Sequence, residues 1–142
     1  MQQRNYQREM DALIASLDAR PRLLLHSCCG PCSSACLERL APHFDIDVFF
    51  YNPNILPAEE WEKRLFWQKH LLETAPFGKN VGLIVPERDE TAFRLAAAGL
   101  EAEAEGGARC TECFVLRLSR TAEAAREGGY DYFATTLTVS PH

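Results

Sequence analysis

The 142-residue sequence contains no apolar run that approaches the length of a membrane span, for which about 20 consecutive residues are needed. Its charged, amphipathic N-terminus lacks the apolar segment and small-residue cleavage site of a signal peptide. A general excess of positive charge is missing too, because the net charge is −5, although a local basic strip can still bind a nucleic acid. We therefore expect a cytoplasmic protein without a membrane partner.

Internal repeats and low-complexity tracts are also absent, and the length predicts a single domain over residues 1–142. Short apolar runs alternate with amphipathic segments. The predicted strands are RLLLHS, DIDVFFYN, VGLIVP and YDYFATTLTV, and the predicted helices cover 6–19, 58–75, 89–100, 110–129 and a segment that begins near Pro31. The segment EAEAEGGARC is predicted to be a loop or a frayed helix end.

This alternation of strands and helices predicts a Rossmann-like α/β fold, in which helices flank both faces of a parallel sheet. The last strand is followed by only a few residues and no closing helix. We therefore expect the C-terminal part of the natural protein to be absent, so that the fold is truncated at its C-terminus.

Four unusual segments follow the predicted strands. They are the cysteine-rich HSCCGPCSSAC, the turn YNPN, the region of Asp89 and the terminal TTLTVSPH. Ligands bind outside the carboxyl ends of the strands in such sheets, so this edge is the predicted site. Tyr51, Asn52 and Asn54 could stack on and hydrogen-bond a loop nucleotide, or they could satisfy the backbone of their own turn.

All six cysteines lie in two groups, HSCCGPCSSAC (26–36) and GGARCTECF (106–114). Disulfides are rare in the cytoplasm, which favours metal binding or redox chemistry. Cys110 and Cys113 have the two-residue spacer of a metal-binding pair. Adjacent Cys28 and Cys29 diverge, which disfavours one zinc ion, whereas an iron–sulfur cluster can take them at different irons. A thioredoxin-like C-G-P-C dithiol and buried structural thiols are the alternatives.

Other residues in or near these groups allow more than one interpretation each. Cys36 lies one turn beyond Cys32 among apolar neighbours, so we predict a small core residue rather than a ligand. His26 ends a buried strand, and we predict a satisfied core histidine rather than a ligand or proton donor. Arg109 could offset thiolate charge, meet a phosphate or lie on the surface. Thr135 and Thr136 could line the site or satisfy backbone groups.

Together, LLLHSCCGPCS, FFYNPNI, EGGARCTECFVLRL and DYFATTLTVSPH resemble the cobalamin-independent epoxyqueuosine reductases of the QueH type, from about Leu23 to His142. The resemblance implies an enzyme, an oxidoreductase that reduces the epoxide of epoxyqueuosine in tRNA to the alkene of queuosine. Its partners would be tRNA carrying epoxyqueuosine and an electron donor of unknown identity.

The same resemblance implies a [4Fe–4S] cluster beside a second metal ion, either iron or zinc. On that pattern the cluster ligands are Cys28, Cys29, Cys110 and Cys113. Cys32 and Asp89 match catalytic positions close to the second metal. Tyr51, Asn52, Asn54, Arg109, Thr135 and Thr136 are the residues that we expect to contact the substrate.

Two other classes of function compete with a reductase. The predicted Rossmann-like fold is also that of adenine-nucleotide-hydrolase-like domains, which include tRNA-modifying ATPases. Those ATPases need a Gly-rich phosphate loop after the first strand. Thiols occupy that position here, in HSCCGPCSS. The other class is a zinc-binding α/β module without reductase activity, which would be colourless and hold one structural metal.

Overall fold

Parallel strands and flanking helices make up the architecture, as the sequence predicts. The computed structural model describes residues 5–17, 19–28, 30–87, 90–99 and 107–137, and the side chains at 6, 7, 90, 93, 96, 109 and 110 also lie outside this description. The strands are β1 (Arg22–His26), β2 (Asp45–Phe49), β3 (Gly82–Ile84) and β4 (Tyr132–Thr135). The helices are α1 (Tyr6–Ser16), α2 (Gly30–Leu40), α3 (Ala58–Thr74), α4 (Glu90–Ala96) and α5 (Ala108–Glu127), with a short 3₁₀ helix at Pro76–Asn80.

The four strands form one parallel sheet in the order β3-β2-β1-β4. Strand β1 is central, and its residues after Arg22 are buried. An almost uninterrupted apolar run of this kind is typical of a parallel strand that is covered on both faces. Because all strands run in the same direction, their carboxyl ends meet at one edge of the sheet.

One face of the sheet packs against α1, α2 and α3. Leu23 and Leu25 of β1 contact a buried apolar cluster that includes Leu37 of α2 and Leu72 of α3. Residues of α1, among them Ile14, pack against the margin of this cluster. This face holds the larger part of the core.

The opposite face packs against α5. Leu24 alternates with its neighbours in β1 and so points to this side, where it joins Phe49, Tyr51 and Ala125 in a second cluster. Helix α4 packs against α5. Helices therefore cover both faces, which confirms the predicted α/β class.

Several element boundaries differ from the sequence prediction, among them the end of α4 at Ala96 rather than at residue 100. Helix α1 ends at Ser16 because Leu17 is extended, which lets the chain turn toward β1. Helix α5 already begins at Ala108, after the N-cap Gly107, two residues before the predicted start at Cys110. Strand β4 ends at Thr135. No helix within the described ranges is both long and apolar enough to cross a membrane.

Candidate functional site

The first cysteine group lies where β1 leaves the sheet. The Ser27 N–H still donates to the Phe49 carbonyl at 3.1 Å, which extends the parallel ladder by one residue. Cys28 follows and is half-buried, and α2 begins at Gly30, so that half-buried Cys32 lies in its first turn. Two of the predicted thiol ligands are thus placed at the carboxyl edge by the end of a strand and the start of a helix.

A buried polar network fixes both ends of this loop to the middle of α3. The Ser27 hydroxyl donates to Gln68 Oε1 at 2.7 Å. Gln68 Nε2 donates to the Ser33 hydroxyl at 3.1 Å, and that hydroxyl donates to the Gly30 carbonyl at 3.0 Å. Ser27, Ser33 and Gln68 are all fully buried, where each unmade hydrogen bond would be costly. The network therefore restrains the backbone on both sides of Cys28.

Helix α2 approaches α3 closely at Gly30. A Cβ atom at this position would lie 3.3 Å from the Trp67 carbonyl oxygen, which is tighter than ordinary van der Waals contact. The absence of a side chain at residue 30 lets the start of α2 lie directly on α3.

The turn after β2 is tied to the same loop. Asn52 Nδ2 donates to the Ser27 carbonyl at 2.8 Å. Asn52 is almost completely buried, and its Oδ1 has no hydrogen-bond partner within the described residues. Its amide nitrogen thus satisfies loop backbone, which is one of the two predicted roles.

His26 links the carboxyl ends of three strands. Its Nε2 lies 2.9 Å from the Tyr51 carbonyl after β2, and its Nδ1 lies 3.1 Å from the Thr135 hydroxyl in β4. A carbonyl only accepts, so Nε2 carries the proton and Nδ1 accepts from Thr135. The Leu137 N–H in turn donates to the Thr135 oxygen at 3.1 Å. His26 is a fully buried and satisfied core histidine, as predicted.

Burial keeps this imidazole neutral. The pKa of His26 is lowered from 6.5 to about 4, chiefly because the ring is removed from water and in smaller part because of the nearby positive charge of Arg117. The hydrogen bond to the Tyr51 carbonyl acts in the opposite direction and is outweighed. His26 therefore joins the strands as a neutral group at ordinary pH.

Helix α5 brings the second cysteine group toward this edge. A tight turn connects the C-terminal end of α5 to the start of β4, and Ala125 packs against Leu24. The 20-residue helix is about 30 Å long, so its N-terminal half extends toward the carboxyl ends of the strands. Arg117 acts on His26 from this half, and buried Cys113 lies one turn nearer the helix start.

The predicted metal ligands are described only in part. Cys28, Cys32 and Cys113 are described, whereas Cys29 and Asp89 and the side chain of Cys110 lie outside the described residues. Within those residues, no group of three or more His, Cys, Asp or Glu side chains is placed to hold one metal ion. The described donors are thiols, which suit soft metals such as iron in clusters and zinc. Thiols therefore fit the [4Fe–4S] cluster and the second metal ion that the family resemblance implies.

Cys36 differs from the other described cysteines. It packs against the larger apolar cluster, and burial raises the pKa of its thiol. A thiol in apolar surroundings is a poor ligand because the thiolate form is disfavoured. This environment agrees with the prediction of a small core residue.

The residues predicted to contact substrate are placed as follows. Tyr51 is buried and its ring packs 6.1 Å from that of Phe49, although it also borders a cavity of about 460 Å³ beside α5. Asn54 Oδ1 and the hydroxyl of fully buried Thr136 have no hydrogen-bond partner within the described ranges. The side chain of Arg109 lies outside the described residues. Asn52, Asn54 and Thr136 thus present buried polar atoms near the carboxyl edge.

Sequence reasoning missed the supporting residues Gln68 and Ser33, and the charge of Arg117 near His26. A polar residue at a buried position of an amphipathic helix is the only signal that Gln68 offers in the sequence. It also missed a groove of about 520 Å³ between α2 and α3, which Trp67 and His70 border together with Gly30. The signal there is the aromatic pair in FWQKH.

The sequence of this chain is similar to those of several known proteins. Residues 23–142 match the family described as epoxyqueuosine reductase QueH. The chain is similar to the epoxyqueuosine reductase QueH of Staphylococcus epidermidis, with 41% identity over 96% of this chain and 60% of that protein. It is 39% identical to the protein of the same name from Streptococcus pyogenes serotype M1, over 97% of this chain and 56% of that protein. The protein of that name from Staphylococcus aureus is 40% identical over 96% of this chain and 60% of its own length. The chain thus spans less than two thirds of the length of these curated relatives.

Proposed function

This chain belongs to the epoxyqueuosine reductase QueH family, and from that membership we propose that the protein reduces the epoxide of epoxyqueuosine in tRNA to the alkene of queuosine. The observation that carries the proposal is the family match over residues 23–142, which includes both cysteine groups. A reductase of this kind acts where tRNA is found, so we place it in the cytoplasm.

The reaction determines what the site has to supply. Conversion of an epoxide to an alkene breaks two C–O bonds, consumes two electrons and two protons, and releases water. An external electron donor must provide the electrons. When bound, a [4Fe–4S] cluster supplies electrons one at a time, and a second metal ion supplies a Lewis acid.

Cys28, Cys29, Cys110 and Cys113 would hold the cluster, and Cys32 and Asp89 would hold the second ion, iron or zinc. Support for this assignment comes from the chemistry of the thiols and from the position of Cys28 and Cys32 at the carboxyl edge. Buried hydrogen bonds restrain the loop that carries them. Restraint of this kind keeps ligands in place without a large loss of entropy when metal binds.

Buried polar atoms at this edge would bind the substrate. Asn52 and Asn54 each have an amide oxygen, and Thr136 a hydroxyl, without a hydrogen-bond partner in the described part of the chain. A ligand hydroxyl or a base edge could pair with them, and a buried polar atom left unpaired is costly. Tyr51, Arg109 and Thr135 complete the proposed substrate-binding set, with Thr135 acting mainly through His26.

The test has two stages on one anaerobic preparation. Absorption near ~400 nm, from thiolate-to-iron charge transfer, is measured with the iron, zinc and acid-labile sulfide contents. Sulfide near four per chain is expected, with iron also near four for the cluster and about one further iron or zinc for the second site. The reconstituted protein is then given tRNA carrying epoxyqueuosine and a chemical reductant, and the queuosine formed is quantified by mass spectrometry.

Each outcome separates the proposal from its alternatives. Queuosine formation by the reconstituted protein, absent without iron, supports the reductase. Zinc without sulfide after reconstitution, together with no queuosine, would identify a zinc-binding module instead. ATP hydrolysis in the presence of tRNA, without queuosine formation, would identify the ATPase-like alternative instead.

A further inference from the structure

An exposed aromatic cluster lies on α3 next to the cysteine loop. The side chains of Phe66 and Trp67 are 59% and 50% exposed. The rings of Trp67 and His70 meet edge-on at 5.5 Å, and those of Phe66 and His70 stack at 6.3 Å with an interplanar angle of 9°. Large rings grouped on a surface generally mark an interaction site.

Trp67 also forms one wall of the groove between α2 and α3. Arg64, Trp67, Leu71 and Thr74 recur at helical spacing on the same side of α3, and Gly30, Pro31 and Ser34 form the opposite wall. The volume of about 520 Å³ lies in the range of sites that bind small planar groups. The groove is mostly apolar, with the Arg64 guanidinium, the His70 ring and the Ser34 hydroxyl as its polar components.

Cationic side chains are concentrated in the middle of α3. The segment 63–70, KRLFWQKH, contains Lys63, Arg64 and Lys69 and no carboxylate. The acidic residues of α3 lie before and after it, and Glu60 pairs with Arg64 at 3.0 Å. Cations interleaved with exposed aromatic rings are the pattern of surfaces that bind single-stranded nucleic acid.

The groove begins at the proposed reaction site. Gly30, which borders it, lies between the two described thiols of the loop, Cys28 and Cys32, and packs directly on Trp67. Successive nucleotides of a stacked strand are about 3.4 Å apart. A strand whose modified base reached the thiols would therefore carry a neighbouring base to the groove.

We propose that Trp67, with Arg64 and His70, binds an unpaired base adjacent to the modified nucleotide of the tRNA. Trp67 provides the stacking surface, and Arg64, which lines the same groove, provides the cation for a neighbouring phosphate. This inference rests on the proposed function, because that function supplies the single-stranded RNA loop. It adds a binding site for the RNA strand outside the cysteine site.

The test measures binding apart from chemistry. An end-labelled anticodon stem-loop RNA without the modification is titrated with the anaerobically reconstituted full chain, and its anisotropy is recorded. Loss of one stacked base corresponds to roughly 5- to 150-fold weaker binding, so Trp67→Ala is expected to raise Kd at least about 5-fold. Trp67→Phe should keep most of the affinity. Phe133→Ala removes a ring of similar exposure, 47%, on β4 and should bind like wild type.

Turnover on epoxyqueuosine tRNA gives a second readout. Trp67→Ala should raise KM with little change in kcat, because the groove binds the strand and not the reacting ring. In a Trp61→Phe background Trp67 is the sole remaining tryptophan of the two, and its fluorescence should be quenched by the RNA.

The outcomes distinguish this inference from the function on which it rests. A wild-type protein that makes queuosine, with Trp67→Ala unchanged in Kd and KM, overturns the RNA site alone. A wild-type protein that neither binds the RNA nor makes queuosine overturns both. If Trp67→Ala changes the sedimentation of the protein and not its RNA affinity, the groove binds a second copy and the RNA site is wrong.

Discussion

The Nδ1 atom of His26 lies 3.1 Å from the hydroxyl of Thr135, although the two residues are 109 positions apart in the sequence. They are direct partners in the parallel register of β1 and β4. With the bond from Nε2 to the Tyr51 carbonyl, this contact connects the ends of three strands through one neutral ring. Because the hydrogen bond from Thr135 requires an unprotonated Nδ1, the stability of the sheet depends on pH.

We predict that protonation of His26 destabilises the fold. Because the folded-state pKa of His26 is about 4, below its usual 6.5, the contribution is present above pH 6.5 and is lost as pH falls toward 4. The full loss is on the order of 3 kcal/mol. Urea unfolding with a chelator present would measure it across this range.

The control for that experiment is His26→Gln, which has no titrating group at this position. Carboxylates contribute to the acid loss in both proteins, so the difference between the two curves isolates the imidazole. Parallel curves between pH 6.5 and 4 would show that His26 does not titrate as described.

Gln68→Leu is predicted to loosen the cysteine loop. The substitution approximately keeps the volume but removes the oxygen that accepts from the Ser27 hydroxyl and the N–H group that donates to the Ser33 hydroxyl. Each buried polar group left unsatisfied costs about 1–3 kcal/mol, so the free energy of unfolding should fall by at least ~2 kcal/mol. Chemical denaturation measures the loss. Lys69→Ala, an exposed neighbour on the same helix, should change stability by less than ~0.5 kcal/mol.

Iron content should also decrease in Gln68→Leu under conditions in which the variant is fully folded. The loop carries Cys28 and Cys32 as proposed ligands, and loss of support around ligands typically lowers metal affinity about 10- to 100-fold. Competition with a chelator of known affinity would measure the change. An unchanged affinity would mean that the network stabilises the fold without positioning the thiols.

Cys32→Ala and Cys36→Ala form a matched pair one helical turn apart on α2. Cys32 is a proposed ligand of the second metal ion, whereas Cys36 packs against apolar residues. We expect Cys32→Ala to abolish turnover on epoxyqueuosine tRNA and to lower the iron or zinc bound beyond the cluster. Cys36→Ala should retain activity and lose about 1 kcal/mol of stability from a small cavity. Loss of activity in Cys36→Ala with full activity in Cys32→Ala would show that Cys36 is the ligand and Cys32 a structural residue.

Tyr130→Phe is predicted to weaken the amino-terminal side of the sheet. The Tyr130 hydroxyl donates to the Asp47 carboxylate, and the Arg22 guanidinium lies 4.2 Å from the ring centroid. Burial and the carboxylate raise the pKa of Tyr130 above 10. Its contribution to stability is thus present below pH 10 and is lost as pH rises through the folded-state pKa.

Thermal unfolding at pH 7 should show a loss of about 1 kcal/mol for Tyr130→Phe. The variant should also lose less stability than wild type above pH 10, because it lacks the titrating hydroxyl. Equal losses in the two proteins above pH 10 would show that Tyr130 does not contribute to the alkaline transition.

The sheet and its two helical faces could be predicted from sequence because parallel strands buried on both sides need apolar runs. Leu23, Leu24 and Leu25 in β1 are such a run, and their alternation sends them to both clusters. His26 and Cys36 were also assigned correctly from their apolar neighbours. Local composition was sufficient for these assignments.

Contacts between distant segments could not be predicted in the same way. Gln68 bonds to Ser27, 41 residues away, and to Ser33, 35 residues away, and no local pattern indicates such a pair. The groove beside Trp67 depends on how closely α2 approaches α3, which Gly30 decides. The family resemblance implies the thiol ligands Cys28, Cys29, Cys32, Cys110 and Cys113 and the carboxylate of Asp89, and their places in a metal site stay predictions.

The pairing of β1 with β4 also sets the order of events during biosynthesis. A ribosome adding 5–20 residues per second needs roughly 5 to 20 seconds to make the segment between His26 and Thr135. During that interval one edge of the central strand and the nearby thiols have no final neighbour. Loading of the proposed cluster at this edge is therefore expected only after Thr135 has been synthesised and β4 can pair with β1.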